Sequence, residues 1–234
     1  MLKVHTITDS NFLPTIETYL NLNYGNSPDQ ILHLQTLTTN QKKHQPFILL
    51  VRSCNQEAWP FDAFNSLVQA GYALAYLEVS EHDLQANYKI KTATRWLLLH
   101  AYQYGLDPFR YLLVGLDFQA NSAVLMALLS TNHQVFSQED VRVSPLHYRG
   151  GAFFGGWDDL QGTKLFENLD IRKVPDLFLV QKSSAYPKDT TNLLAQKTDV
   201  TVYQLDEICA SQVALTPYLI SKFKAFCQSA FKKK

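Results

Sequence analysis

Between Tyr111 and Leu129 the chain passes from a strand signal to a helix signal with only two residues in between, Leu116 and Asp117. That step constrains the fold more than any other feature. Tyr111–Gly115 is a short apolar run of the kind found in the middle of a parallel sheet. Phe118–Leu129 is apolar on most sides and reads as a helix buried against that sheet. The same alternation runs along the rest of the chain. Strands are predicted at Ile31–Leu37, Phe47–Val51, Tyr72–Leu77, Gly150–Phe154, Asp176–Val180 and Val200–Tyr203. Helices are predicted at Phe61–Ala70, ending at Gly71, at Thr92–Tyr104, ending at Gly105, and at Leu215–Phe226. Alternating strands and helices give an α/β domain with a doubly wound, mostly parallel sheet of about seven or eight strands. No repeat or linker divides the chain, so residues 1–234 are read as one domain, with little or no cap because no inserted helical pair is visible.

Composition removes several classes of function. Lys plus Arg and Asp plus Glu number 21 each, so the chain as a whole offers no electrostatic case for nucleic acid or a membrane surface. Its basic clusters, Lys42-Lys43-His44 and Lys232-Lys233-Lys234, read as a solvated loop and a frayed end. No stretch reaches the roughly 20 apolar residues of a spanning helix, and no leader peptide is apparent. Three cysteines, Cys54, Cys209 and Cys227, lack metal-like spacing and fit reduced thiols in a cytoplasm. Nine glycines in 234 residues is a low count against an average of about 7%.

The stretch from Gly105 to Ala123 resembles the nucleophile region of small bacterial esterases and lipases of the α/β-hydrolase superfamily. There a Gly-x-Asp-Pro turn leads through a strand into G-x-S-x-G-G-[NH]-x-A. Gly115, Asn121 and Ala123 match that pattern; Asp117 stands at the nucleophile, and Gln119 and Ala120 stand at the two glycines. Arg52-Ser53-Cys54-Asn55 looks like the family's oxyanion loop, with Arg52 in place of its histidine. Leu67–Leu74, Gly150–Leu160 and Val174–Gln181 resemble further steps of the same fold in the same order. The resemblance implies an α/β-hydrolase fold over about residues 30 to 230.

The same resemblance implies that serine-hydrolase chemistry is missing. That chemistry needs a nucleophile, a histidine base, an orienting acid and an oxyanion hole. No histidine follows His147, so the loop after the last strand brings no base. No carboxylate follows the Asp176–Val180 strand before Asp189. Asp117 has two readings: an unusual nucleophile, or the N-cap of the helix that starts at Phe118. The oxyanion position is assigned to Arg52, Ser53, Cys54 and Phe118. Arg52 is expected to place a long cation at the pocket edge. Trp59, His82, Trp157, Tyr186 and Cys209 are assigned to a pocket rim, each with packing or a solvated loop as the plain alternative. Cys54 and Cys209 are weighed as a thiol pair and as buried core cysteines. The acidic pairs Asp158-Asp159 and Asp206-Glu207 lack a third ligand, so no metal and no cofactor is expected.

The expected function is an esterase-like protein without catalysis that binds a small molecule or a protein partner. The alternative is a hydrolase with weak or altered ester chemistry centred on Asp117. A third reading is an oligomer subunit that associates through the closing helix.

Overall fold

The computed structural model describes residues 2–6, 14–38, 44–54, 59, 61–80, 85–130, 145–155, 174–182, 194–195, 198–205 and 216–233. These include nine strands in one sheet: β1 (Leu2–Thr6), β2 (Thr15–Asn23), β3 (Ile31–Thr38), β4 (Gln45–Ser53), β5 (Ala73–Val79), β6 (Leu106–Gly115), β7 (Gly150–Phe154), β8 (Asp176–Lys182) and β9 (Val200–Leu205). Their spatial order is β1-β2-β3-β5-β4-β6-β7-β8-β9. The first three strands are antiparallel, and β3 meets β5 antiparallel; every pair from β5 to β9 is parallel.

The sheet exceeds the expected seven or eight strands because β1 and β2 form an antiparallel edge that the sequence reading did not assign. In β2, Ile16 is buried and Glu17 is not, but the alternation breaks at Tyr19, which is buried directly after Thr18. Asn21 has φ 54° and lies where the β2–β3 register shifts between Tyr19 and Leu22. An extra residue of this kind moves the following side chains to the opposite face, which erases a simple period of two. Asn tolerates the left-handed region better than most residues.

Helices α1 (Asn65–Gln69), α2 (Ala86–Leu99), α3 (Ala101–Tyr104), α4 (Phe118–Leu129) and α5 (Pro217–Ala230) flank the sheet. Phe47–Val51 are all fully buried, because the middle of β4 has core on both faces. Phe47, Leu49 and Val51 join the apolar layer beneath α2 and α4. Ile48 and Leu50 join the layer beneath α1 and α5. Among the described residues there is no cap domain, and no helix is long and apolar enough to cross a membrane.

The helix predicted at Thr92–Tyr104 begins earlier than expected, at Ala86, and is interrupted at His100 before Gly105 ends it. Gly105 takes φ 66°, the left-handed C-terminal position that glycine reaches without steric cost. The closing helix is capped by the Thr216 hydroxyl, which accepts from the Leu219 N–H, and has Pro217 in its first turn.

Candidate functional site

In a doubly wound sheet the ligand end is where parallel strands finish and loops turn toward helices. Here β4 finishes with Arg52 and Ser53, β5 with Glu78 and Val79, and β6 with Gly115. The Leu116 N–H donates to the Val51 carbonyl at 2.9 Å, so the β6–α4 turn stays stitched to the end of β4. The turn and the Arg52–Cys54 segment are thereby brought together, as the sequence expectation requires.

Asp117 is the centre of this arrangement. Its Oδ1 accepts from the Ala120 N–H at 2.9 Å, which caps α4. Its Oδ2 accepts from the Ser53 N–H at 2.7 Å, across from β4. One carboxylate thus takes a main-chain donor from each of two elements. Both contacts are charge-assisted, and the first also uses the positive end of the helix dipole. The backbone at Asp117 is extended, with φ −149° and ψ 169°. A nucleophile elbow is instead a sharp, strained turn that presents its side chain outward. The cap reading of Asp117 therefore matches the geometry, and the Ser53 contact adds a role that the sequence did not suggest.

Gly115 has a different duty. A Cβ there would lie 2.1 Å from the Asn121 Oδ1 and 2.9 Å from the Asn121 Cα. The strand end and the first turns of α4 touch at this point. Asn121 is fully buried and donates from Nδ2 to the Phe154 carbonyl at 3.0 Å, tying α4 to the end of β7.

Arg52 does not project from a pocket edge as expected. It is 6% exposed, and its Nε donates to the Glu78 Oε1 at 2.9 Å, with a second bond from the other end of the guanidinium to the same oxygen. The Trp59 ring covers the guanidinium at 4.0 Å from its centroid. Parallel register explains the pair, because Arg52 and Glu78 lie opposite each other on β4 and β5. Trp59 is itself buried, with its edge toward Tyr76 at 5.1 Å between centroids. Glu78 was missed from sequence, although it is the one charged residue in the Ala73–Val79 run and could have been flagged as needing a partner.

The remaining positions divide simply. Cys54 is exposed rather than a core cysteine, and its N–H donates to the Val79 carbonyl at 3.0 Å. Burial of its sulfur and then the Glu78 charge push the thiol up from its ordinary value, the reverse of what an activated thiolate needs. Phe118 is half exposed at the first position of α4. His82, Trp157, Tyr186 and Cys209 lie outside the described residues, as do Asp158-Asp159 and Asp206-Glu207. Among the described residues no cluster of three metal-ligating side chains occurs.

Three of the described histidines have bonds away from Asp117. His147 precedes β7, at the opposite end of the sheet from Asp117, and its N–H donates to the Tyr111 hydroxyl. His100 bonds the Trp96 carbonyl one turn back on its helix. His33, on β3, accepts from the Asn21 N–H at 3.1 Å through Nδ1 and packs edge-on against Phe61. Burial lowers the His33 pKa below its ordinary value; Glu78 opposes this and Arg52 adds to it.

No protein-family model and no curated protein sequence matches the chain. Solved structures do. A truncated carbohydrate esterase from gut microbiota shares 12% identity over 92% of this chain and 96% of its own, with a TM-score of 0.66. Esterase B from Lactobacillus rhamnosis shares 13% identity over 93% and 86%, with a TM-score of 0.68. Thermogutta terrifontis esterase 2 phosphorylated by paraoxon shares 13% over 98% and 100%, at 0.64. At such identities the likeness speaks to architecture alone. Taken with the strand order and the helices on both faces, it shows that this chain has the α/β-hydrolase fold.

Proposed function

We propose that this protein is a non-catalytic member of the esterase-like α/β-hydrolases and acts by binding a small molecule or a protein partner. One observation carries the reading: both oxygens of Asp117 are held by main-chain donors, from Ser53 and Ala120. A nucleophile must approach a substrate carbon, and a carboxylate fixed in this way would first have to abandon two charge-assisted bonds. The Ser53 N–H, which the resemblance assigns to the oxyanion position, is spent on that same carboxylate rather than left for a developing charge. No described histidine bonds to Asp117 to act as its base. The free thiols of Cys54 and Cys227 fit a reducing compartment such as the cytoplasm.

The test is turnover of p-nitrophenyl acetate by the purified chain, compared with Asp117→Asn and Asp117→Ser. The expected result is no turnover above the uncatalysed rate in any of the three. Wild-type turnover that vanishes in Asp117→Asn would instead establish Asp117 as a nucleophile. Strong activity in Asp117→Ser would reveal a base that this reading says is missing.

A further inference from the structure

The β2–β3 hairpin reaches the same end of the sheet as Asp117. β3 runs antiparallel to β5, so the turn that feeds β3, residues 24–30, stands where β5 finishes. The turn is closed by the Tyr24 N–H, which donates to the Gln30 carbonyl at 2.9 Å. Its tip is tied to α2 by the Lys89 Nζ, 2.9 Å from the Asp29 Oδ2. Hydrogen bonds from Ser27 and then Lys89 push the Asp29 carboxyl down to about 2, so this tie stays charged in mild acid.

Behind the tip, the hairpin depends on Asn21. Its φ of 54° sits at the register shift between Tyr19 and Leu22. A left-handed backbone at a residue with a side chain persists where its neighbours hold it. His33 is such a neighbour: its Nδ1 accepts from the Asn21 N–H at 3.1 Å. Only a bare ring nitrogen accepts, so this bond belongs to the neutral imidazole with its proton on Nε2. A proton on Nδ1 sets donor against donor and removes the bond.

The charges around the ring largely cancel. Phe61 meets it edge-on at 5.9 Å between centroids. Tyr76 lies opposite on β5, with its hydroxyl committed to the Gln35 Oε1. Two residues further along β5, on the same face, Glu78 is a diagonal neighbour of His33. Arg52 of β4 already bonds Glu78, so the anion and the cation that act on the ring are paired with each other. Asp62, beside Phe61, is exposed and accepts from the Asn65 amide. Burial then favours the neutral ring over the opposing pull of Glu78.

We propose that His33 is a proton-operated pin for the β2–β3 hairpin. Neutral, it fastens the bulge at Asn21 and holds the hairpin against the ligand end of the sheet. Protonated, it releases the bulge and frees the hairpin up to its tie at Asp29. The pin involves β2 and β3 rather than the β6–α4 turn, so it stands whether or not Asp117 is silent.

Nuclear magnetic resonance of the isotope-labelled full chain tests it, with a titration from about pH 8 to pH 5 across the ordinary histidine pKa. At the alkaline end the His33 ring should carry its proton on Nε2 alone. On acidification the Asn21 amide should shift and residues 22–30 should gain relaxation dispersion, both with the midpoint of the His33 ring. Loss of one hydrogen bond should make the open hairpin about fivefold more populated. His33→Asn places an amide oxygen, which does not titrate, near the position of Nδ1, and should abolish the response. His33→Leu should loosen the hairpin at every pH; if that variant does not fold, the wild type and His33→Asn still decide. An Nδ1–H tautomer at the alkaline end overturns the proposal, as does an Asn21 amide without the histidine midpoint. So does a hairpin unmoved by the titration, a folded His33→Leu variant with a rigid hairpin, or an undiminished response in His33→Asn.

Discussion

Gly115 and Asp117 stand two residues apart in one turn, yet they answer to different constraints. Gly115 is held by contact: the backbone of α4 passes so close that even one methyl group has no room. Asp117 is held by charge: it joins Ser53 of β4 to the start of α4 through two hydrogen bonds. The resemblance to esterases matches at Gly115 and Asn121, where strand and helix touch, and departs at Asp117, Gln119 and Ala120. The backbone at Asp117 is extended, so no left-handed conformation has to be held there. Gly115 is fixed by what a side chain would meet, whereas Asp117 is fixed by the donors it accepts from.

The harshest test of that comparison is Gly115→Val. The new side chain would collide with both the backbone and the side chain of Asn121, and Asn121 also holds β7 through the Phe154 carbonyl. Overpacking of this kind should cost about 3 kcal/mol, read as a fall in the urea midpoint. A variant as stable as wild type would show that the crossing is not tight. Asp117→Ala comes next. It removes a helix cap and leaves the Ser53 N–H without its acceptor, for a loss of about 2 kcal/mol. Asp117→Asn should fall between this variant and wild type, because its amide keeps one acceptor and turns a donor toward the other N–H. If both variants are as stable as wild type, the Ser53 contact is not a structural link and the carboxylate is available for other work.

The Arg52 cluster provides a milder contrast, because there charge meets charge. Glu78→Gln should cost about 1 kcal/mol by urea titration, a figure discounted because the Glu78 side chain is 36% exposed and partly screened. A loss as large as that of Asp117→Ala would mean that Glu78 is the sole support of a buried guanidinium, and that Trp59 contributes little.

The layout of the sheet was legible in sequence from β3 onward, because fully buried strands show up as unbroken apolar runs. Phe47–Val51 and Tyr111–Gly115 are such runs. Where a tertiary contact overrides local pattern, legibility fails. Helix α2 was predicted to start only at Thr92, whereas it starts at Ala86. Lys91 is fully buried, its ammonium 4.9 Å from the centre of the Tyr88 ring. β2 was lost to the bulge at Asn21. At the site, the position of Asp117 and its capping bond followed from the strand–turn–helix spacing. The Ser53 bond did not, since it joins residues 64 apart in sequence through a main-chain donor that no side-chain pattern reveals. The Arg52–Glu78 pair likewise depends on knowing that β4 and β5 run side by side.

The smallest expected effect concerns whether this polar end of the sheet responds to pH. His33 is on β3, faced by Phe61 and the Asn21 N–H, with the charges of Glu78 and Arg52 within reach. Its Nδ1 accepts a hydrogen bond in the neutral form, and a proton there would set two donors against each other. Its folded pKa lies below its ordinary value, chiefly through burial. A histidine of this kind binds its proton more readily once unfolded, so acid favours the unfolded chain. Stability should therefore begin to fall as pH drops through about 6.5, the unfolded value, and the His33 contribution should level off once pH is below the folded one. His33→Gln should flatten that part of the profile of Tm against pH while leaving the value at pH 8 nearly unchanged. An unaltered slope in the variant would assign the acid sensitivity to other groups. A slope of the opposite sign in the wild type, attributable to His33, would mean that Glu78 outweighs burial, and that this corner gains rather than loses an ion pair on protonation.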